Sequence, residues 1–162
     1  MSDALPPFQL FLDEHREHVW RLLVAAVGRQ EADDCFQETF IAALRAYPRL
    51  RTGGSRHNLR AWVLTIAHRK ALDHHRSRAR QGLPSEDIQA LAIEQGPPQD
   101  TPDGTVWRAV GELPTRQRSA VLLRFAADMT HREIAGVIGC SEEAARRSLH
   151  EGLSKLRKAM GT

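Results

Sequence analysis

Thr130-His-Arg-Glu-Ile-Ala-Gly-Val-Ile138, then Gly139-Cys-Ser141, then Glu142-Glu-Ala-Ala-Arg-Arg-Ser-Leu-His-Glu-Gly-Leu-Ser-Lys-Leu-Arg-Lys-Ala-Met160 is the stretch on which the fold turns. A helix is expected from Thr130 to Ile138, a turn at Gly139-Cys140-Ser141, and a longer helix from Glu142 to about Met160. Ser141 is a good N-cap, because its hydroxyl can accept from the unpaired amides of the next turn. A short helix, a glycine-containing turn and a longer helix form the helix-turn-helix arrangement. Leu149, Leu153 and Leu156 repeat at helical spacing and are expected to face the domain core, while Arg146, Arg147 and His150 share an exposed side. Side chains so placed reach base edges or phosphates in a major groove. Glu142 and Glu143 repel phosphate but suit the positive end of the helix dipole.

Upstream of this motif, prolines divide the chain into segments that read as helices, and none reads as an alternating strand. Val106, Val110 and Leu113 predict a short helix after Thr105, and Pro114 opens another that runs through Phe125. At the other end, Phe8, Phe11, Leu12, His15, Val19, Leu22, Leu23 and Ala26 predict a helix from Phe8 to Val27, stopped at Gly28. A second helix runs from about Glu31 to Tyr47, with Ala32, Cys35, Phe36, Thr39, Phe40, Ala43, Leu44 and Tyr47 as its apolar stripe and Pro48 as its end. Its other face carries Asp33, Asp34, Gln37, Glu38 and Ile41, which is either a solvated surface or a protein-docking face. A Gly- and Arg-rich loop follows from Arg49 to Asn58. A third helix begins near Leu59 and reaches Arg80.

Charge is zoned along these segments. Residues 31–44 hold Glu31, Asp33, Asp34 and Glu38 and no base, whereas residues 67–80 hold Arg69, Lys70, Arg76, Arg78 and Arg80 against Asp73. The basic helix is either a solvated face or a phosphate-binding one, where each cation releases condensed counterions. Trp62, at the start of that helix, is a core residue or a platform for an unstacked base. Pro84 to Gly104 is acidic, with four prolines and neither Lys nor Arg, and reads as a flexible linker with room for a short helix near Asp87 to Ile93. The fold class is therefore all-α, with two small helical domains joined by a flexible acidic linker: residues 1–82, 83–104 and 105–162.

Several function classes fall away. Cys35 and Cys140 have no partner at metal spacing, so neither a zinc site nor a disulfide framework is expected, and two isolated thiols suit a reducing cytoplasm. His74-His75 are neighbours on a helix and do not face one site. No apolar run is long enough to span a bilayer, and Met1 to Pro7 does not read as a secretion signal. Phosphate-binding glycine loops, nucleophile elbows and paired metal motifs are all missing, so neither an enzyme nor a cofactor is expected.

Two segments together resemble the extracytoplasmic-function (ECF, group IV) RNA polymerase sigma factors. Glu31-Ala-Asp-Asp-Cys-Phe-Gln-Glu-Thr-Phe-Ile-Ala-Ala-Leu-Arg45, with Ala61-Trp-Val-Leu-Thr-Ile-Ala67 and Asp73 to Arg76, looks like the family's region 2. Glu112-Leu-Pro-Thr-Arg-Gln-Arg118, Thr130-His-Arg-Glu-Ile-Ala135, Ile138-Gly-Cys-Ser141 and Leu153-Ser-Lys-Leu-Arg157 look like its region 4. The resemblance implies a region 2 helical bundle and a region 4 helix-turn-helix, and a cytoplasmic bacterial protein that binds core RNA polymerase, recognises promoter DNA and promotes its opening.

It further implies site residues. Asp33, Asp34, Gln37, Glu38 and Ile41 would dock on the clamp helices of core polymerase. Arg51, Arg56, His57, Asn58, Trp62, His68, Arg69 and Arg76 would hold the minus-ten element. Thr130, Arg146, Arg147 and His150 would read the minus-thirty-five element. An extruded base gains stacking and hydrogen bonds that offset unpairing, so opening needs no catalysis. An anti-sigma protein wedged between the domains is a further expected partner. Three positions depart from the family: His68-Arg69 replaces Arg-Asn, Glu143-Ala144-Ala145 replaces Gly-Thr-Val, and Glu151 stands where a base is common. The altered recognition-helix start motivates the alternative reading, a DNA-binding regulator that has lost promoter-opening activity or a sigma-like protein acting mainly through a partner.

Overall fold

The computed structural model describes residues 5–50, 57–80 and 103–161, and every regular element among them is helical. In chain order these are α1 (Phe8–Val27), α2 (Arg29–Ala46), a 3-10 turn (Tyr47–Arg49), α3 (His57–Arg80), α4 (Asp103–Gly111), α5 (Thr115–Phe125), α6 (His131–Ile138) and α7 (Glu142–Ala159). The Arg51–Arg56 part of the loop and the acidic segment with its short-helix expectation lie outside the described residues.

Local chemistry sets the boundaries. Gly28 (φ +85°) takes a left-handed backbone that suits a residue without Cβ, and it turns α1 directly into α2. Its carbonyl accepts the Ala32 amide at 2.9 Å, so α2 starts at Arg29, two residues before the expected Glu31. Pro48 does not follow α2 as a simple stop; it sits inside the 3-10 turn that ends the segment. Thr130 and Glu133 form a capping box, each side chain bonding the other's backbone amide at 3.2 and 3.0 Å. Gly139 (φ +79°) closes α6 in the left-handed conformation, and Ser141 Oγ accepts the Ala144 amide at 3.1 Å to open α7.

Helices α1, α2 and α3 pack around one core. Phe11, Val19, Leu22, Leu23, Ala32, Ala43, Val63, Leu64 and Ala67 are fully enclosed there. Phe11 is its hub, with ring centroids 5.0 Å from His15, 5.2 Å from Tyr47 and 5.8 Å from Trp62. Leu44, expected on the apolar stripe, is instead 53% exposed beside Ile41. The second core joins α5, α6 and α7 through Leu123, Met129, Ile134 and Ala145. Gly152 of α7 lets that helix close on α5: a Cβ there would lie 3.1 Å from Val121 Cγ2.

The two helical groups also touch. The Arg60 guanidinium of α3 donates to the carbonyls of Ala127 (2.5 Å) and Asp128, just past the end of α5. His68 Nε2 lies 3.0 Å from Ser119 Oγ of α5. Trp20, Arg21, Val24 and Ala25 of α1, Arg29 of α2, and Phe125 and Ala126 at the end of α5 line one groove between the two groups.

Candidate nucleic-acid and polymerase interface

α2 is two-sided. Ala32, Cys35, Thr39, Phe40 and Ala43 are buried, and the Cys35 thiol is pushed up to about 11 by burial and by Glu38, Glu31 and Asp34. A thiol so placed stays protonated and unreactive. On the opposite face Asp33, Asp34, Gln37, Glu38 and Ile41 are all exposed, forming an acidic strip with an apolar edge that Leu44 extends. Leu44 is a surface residue that helical periodicity alone assigned to the core.

α3 divides its basic side chains between two tasks. Arg78 and His74 reach Glu31 at the start of α2, at 3.4 and 3.7 Å. The His75 imidazole meets the Ala26 carbonyl at 2.9 Å, and burial lowers its pKa. These three residues tie the helix to its own bundle. Arg69, Arg76 and Arg80 remain exposed, Arg76 with a loose contact to Asp73 at 3.8 Å. Trp62 is half-buried against Phe11 and Tyr47, part of the aromatic cluster rather than a free platform. His68 is 7% exposed, and burial, reinforced by Arg118 and Arg69, pushes its imidazole down to about 4. It is therefore neutral at physiological pH. His57 and Asn58 fall in the first turn of α3, but their side chains, like Arg51 and Arg56, lie outside the described residues.

α7 sorts its residues as a groove-reading helix must. Ala145, Ser148, Leu149, Gly152 and Leu156 are buried against α5 and α6, with Leu153 half-buried, while Arg146, Arg147 and His150 are exposed on the far side. Arg146 is ion-paired to Glu142 at 2.9 Å, one turn back. Glu151 accepts from Gln117 Nε2 at 3.1 Å. Thr130 is exposed at the start of α6, its hydroxyl engaged in the capping box.

Arg60 and Ser119 carried no sequence signal. They meet partners 67 and 51 residues away, and no local pattern encodes such a contact. Among the described residues no group of three or more His, Cys, Asp or Glu could hold a metal ion. No helix among them is long and apolar enough to cross a membrane.

Residues 11–81 match the Sigma-70 region 2 family model, and residues 104–156 match the Sigma-70 region 4 model. The ECF RNA polymerase sigma factor SigF of Caulobacter vibrioides is 33% identical, over 90% of this chain and 78% of its own length. SigE of Mycolicibacterium smegmatis is 28% identical over 95% of this chain, which spans 62% of that relative's length. The sigma factor RpoE from Bartonella quintana, solved in complex with the anti-sigma factor NepR, shares the fold with a TM-score of 0.75. That match covers 96% of this chain and 97% of the solved one at 16% identity. The chain belongs to the ECF family of RNA polymerase sigma factors.

Proposed function

We propose that this protein is a group IV sigma factor of the bacterial cytoplasm, without enzymatic activity, that docks on core RNA polymerase and opens promoter DNA. Its division of labour follows residues 1–82, 83–104 and 105–162. Asp33, Asp34, Gln37, Glu38 and Ile41 form the polymerase-docking face, where acidic side chains around an apolar edge complement basic residues on a partner. Arg51, Arg56, His57, Asn58, Trp62, His68, Arg69 and Arg76 hold the minus-ten element. Thr130, Arg146, Arg147 and His150 meet the minus-thirty-five duplex. The observation that carries this reading is α7: one face is buried in the helix-turn-helix core, and the other presents Arg146, Arg147 and His150 to solvent.

An anti-sigma protein is a further proposed partner, since the Bartonella relative was solved with one. The contacts of Arg60 with the turn after α5 and of His68 with Ser119 mean that a wedge-like partner must first part the two domains.

Reconstituted transcription tests the proposal. The chain is mixed with core polymerase and a genomic library from its host, and the transcripts are sequenced. Discrete start sites sharing upstream motifs are expected. Neither polymerase binding nor start sites, with folded protein, would refute it. The Arg146–Glu142 ion pair, which occupies a side chain of the recognition helix, favours a second reading, a DNA-binding regulator without promoter-opening activity. Core binding without start sites would establish that one.

A further inference from the structure

An acid stands in the middle of the outward face of α7. Ala145, Ser148, Leu149, Gly152 and Leu156 form the buried face. At about 3.6 residues per turn, the centre of that face falls at Ala145 and Gly152. The opposite direction belongs to Glu143, with His150 about two turns further along, and both residues are exposed. Arg146 and Arg147 flank this line, one on each side, and are exposed as well. A helix that enters the major groove with its N-terminal residues toward the bases presents this middle line to the groove floor.

The charges on the face are not equivalent. Arg146 Nη2 lies 2.9 Å from Glu142 Oε1, so these two side chains offset one another and Arg146 is drawn back toward the start of the helix. Glu143 has no ion-pair partner among the described residues. A lone carboxylate in a DNA groove opposes the phosphates and weakens binding to every sequence. It gains only where it meets a donor, because an ionised carboxylate accepts hydrogen bonds and never donates them. In the major groove guanine presents N7 and O6 and thymine presents O4, all acceptors. Adenine sets its N6 amino group beside the N7 acceptor, and cytosine presents its N4 amino group with no acceptor of its own. Arg147, one turn beyond Glu143, carries the donors that suit guanine N7 and O6. Acid and base at this spacing therefore match a cytosine with a guanine close by.

We propose that Glu143 is a specificity determinant for the minus-thirty-five duplex: its carboxylate accepts from the N4 amino group of a cytosine and rejects guanine and thymine at that position. The inference rests on the reading of α7 as the minus-thirty-five helix. Rejection arises because a wrong base turns an acceptor toward the carboxylate, which is then left desolvated without a donor.

Transcription by core polymerase loaded with the full chain tests this. The template is a promoter taken from the mapped start sites and randomised across its minus-thirty-five duplex, with salt held constant. Sequencing the transcripts gives a relative rate for each base at each position. Wild type is expected to favour cytosine over guanine and thymine roughly tenfold at one position. Glu143→Ala should flatten that position to within about twofold and leave the preferences elsewhere in place. Glu143→Gln should move the same position from cytosine to adenine, because the amide brings a donor for N7 beside an acceptor for N6. Circular dichroism checks folding, and a fold defect cannot exchange one preferred base for another, so Glu143→Gln decides the matter if Glu143→Ala misfolds. Unchanged base preferences in the folded variants, or a wild-type preference for any base but cytosine at the altered position, would overturn the assignment while leaving the promoter reading intact. No minus-thirty-five preference in wild type would instead overturn the reading of α7 itself.

Discussion

Phe11→Ala probes the centre of the N-terminal bundle. Phe11 is fully buried, and its ring meets Phe8, His15, Phe40, Tyr47 and Trp62 at centroid distances of 5.6, 5.0, 6.4, 5.2 and 5.8 Å. These neighbours come from α1, α2, the 3-10 turn and α3, so one ring joins every element of the domain. Removing a buried Phe side chain costs about 3–5 kcal/mol, the spread reflecting how far the site collapses. Here collapse is restricted, because the surrounding rings hold one another: Phe8 stands edge-on to Tyr47 at 5.3 Å, and Phe36 lies 4.8 Å from Phe40. The expected loss is therefore about 4 kcal/mol, a large share of the 5–15 kcal/mol that holds a typical domain folded. Urea unfolding followed by tryptophan fluorescence reads it directly, since Trp62 sits against the deleted ring. Leu10→Ala, at a side chain 58% exposed, is the matched control and should stay within about 0.5 kcal/mol of wild type. A loss below about 1.5 kcal/mol for Phe11→Ala, with an unchanged denaturant slope, would refute the claim that this cluster is a rigid hub.

Other expectations are as specific. Gly152→Leu forces side-chain volume into a site where even a Cβ would stand 3.1 Å from Val121 Cγ2; Val121 is buried and its χ1 is fixed in a helix, so the thermal midpoint should fall by the equivalent of about 1–3 kcal/mol. Thr130→Ala removes one arm of the capping box and should cost about 0.5–2 kcal/mol, seen as faster amide exchange in α6 with α7 unchanged. Stability should also fall on acidification from pH 8 to 5.5. Burial holds the folded His68 imidazole at about 4 against an ordinary 6.5, so its contribution is complete above about pH 6.5 and is lost as pH drops toward 4, the loss being on the order of 1 kcal/mol at pH 5.5. His75 is lowered in the same direction; a pH profile that His68→Gln fails to flatten would remove His68 from this account.

The helices, their ends and the helix-turn-helix were legible in the residues because the forces that set them are local. Gly28 and Gly139 supply left-handed backbone, Thr130 and Ser141 bond amides three residues on, and Pro114 stands at the start of α5. Periodicity alone separated the buried face of α7 from Arg146, Arg147 and His150, and the core face of α2 from its acidic strip. Leu44 escaped that logic: a hydrophobic side chain at the edge of a helical stripe goes inward only if another element covers it, and among the described residues Leu44 stays 53% exposed.

Only the tertiary structure decided which members of the α3 set remain available to a ligand. Trp62 is drawn into the Phe11 cluster, His74 and Arg78 are committed to Glu31, and His68 turns to Ser119 while Arg69 and Arg76 stay exposed. Arg60, unremarkable in the sequence, proves to join the two domains. A helix fixes the direction of each side chain through its own repeat, but the identity of what waits there depends on residues that are distant along the chain and become neighbours only when the chain folds back on itself.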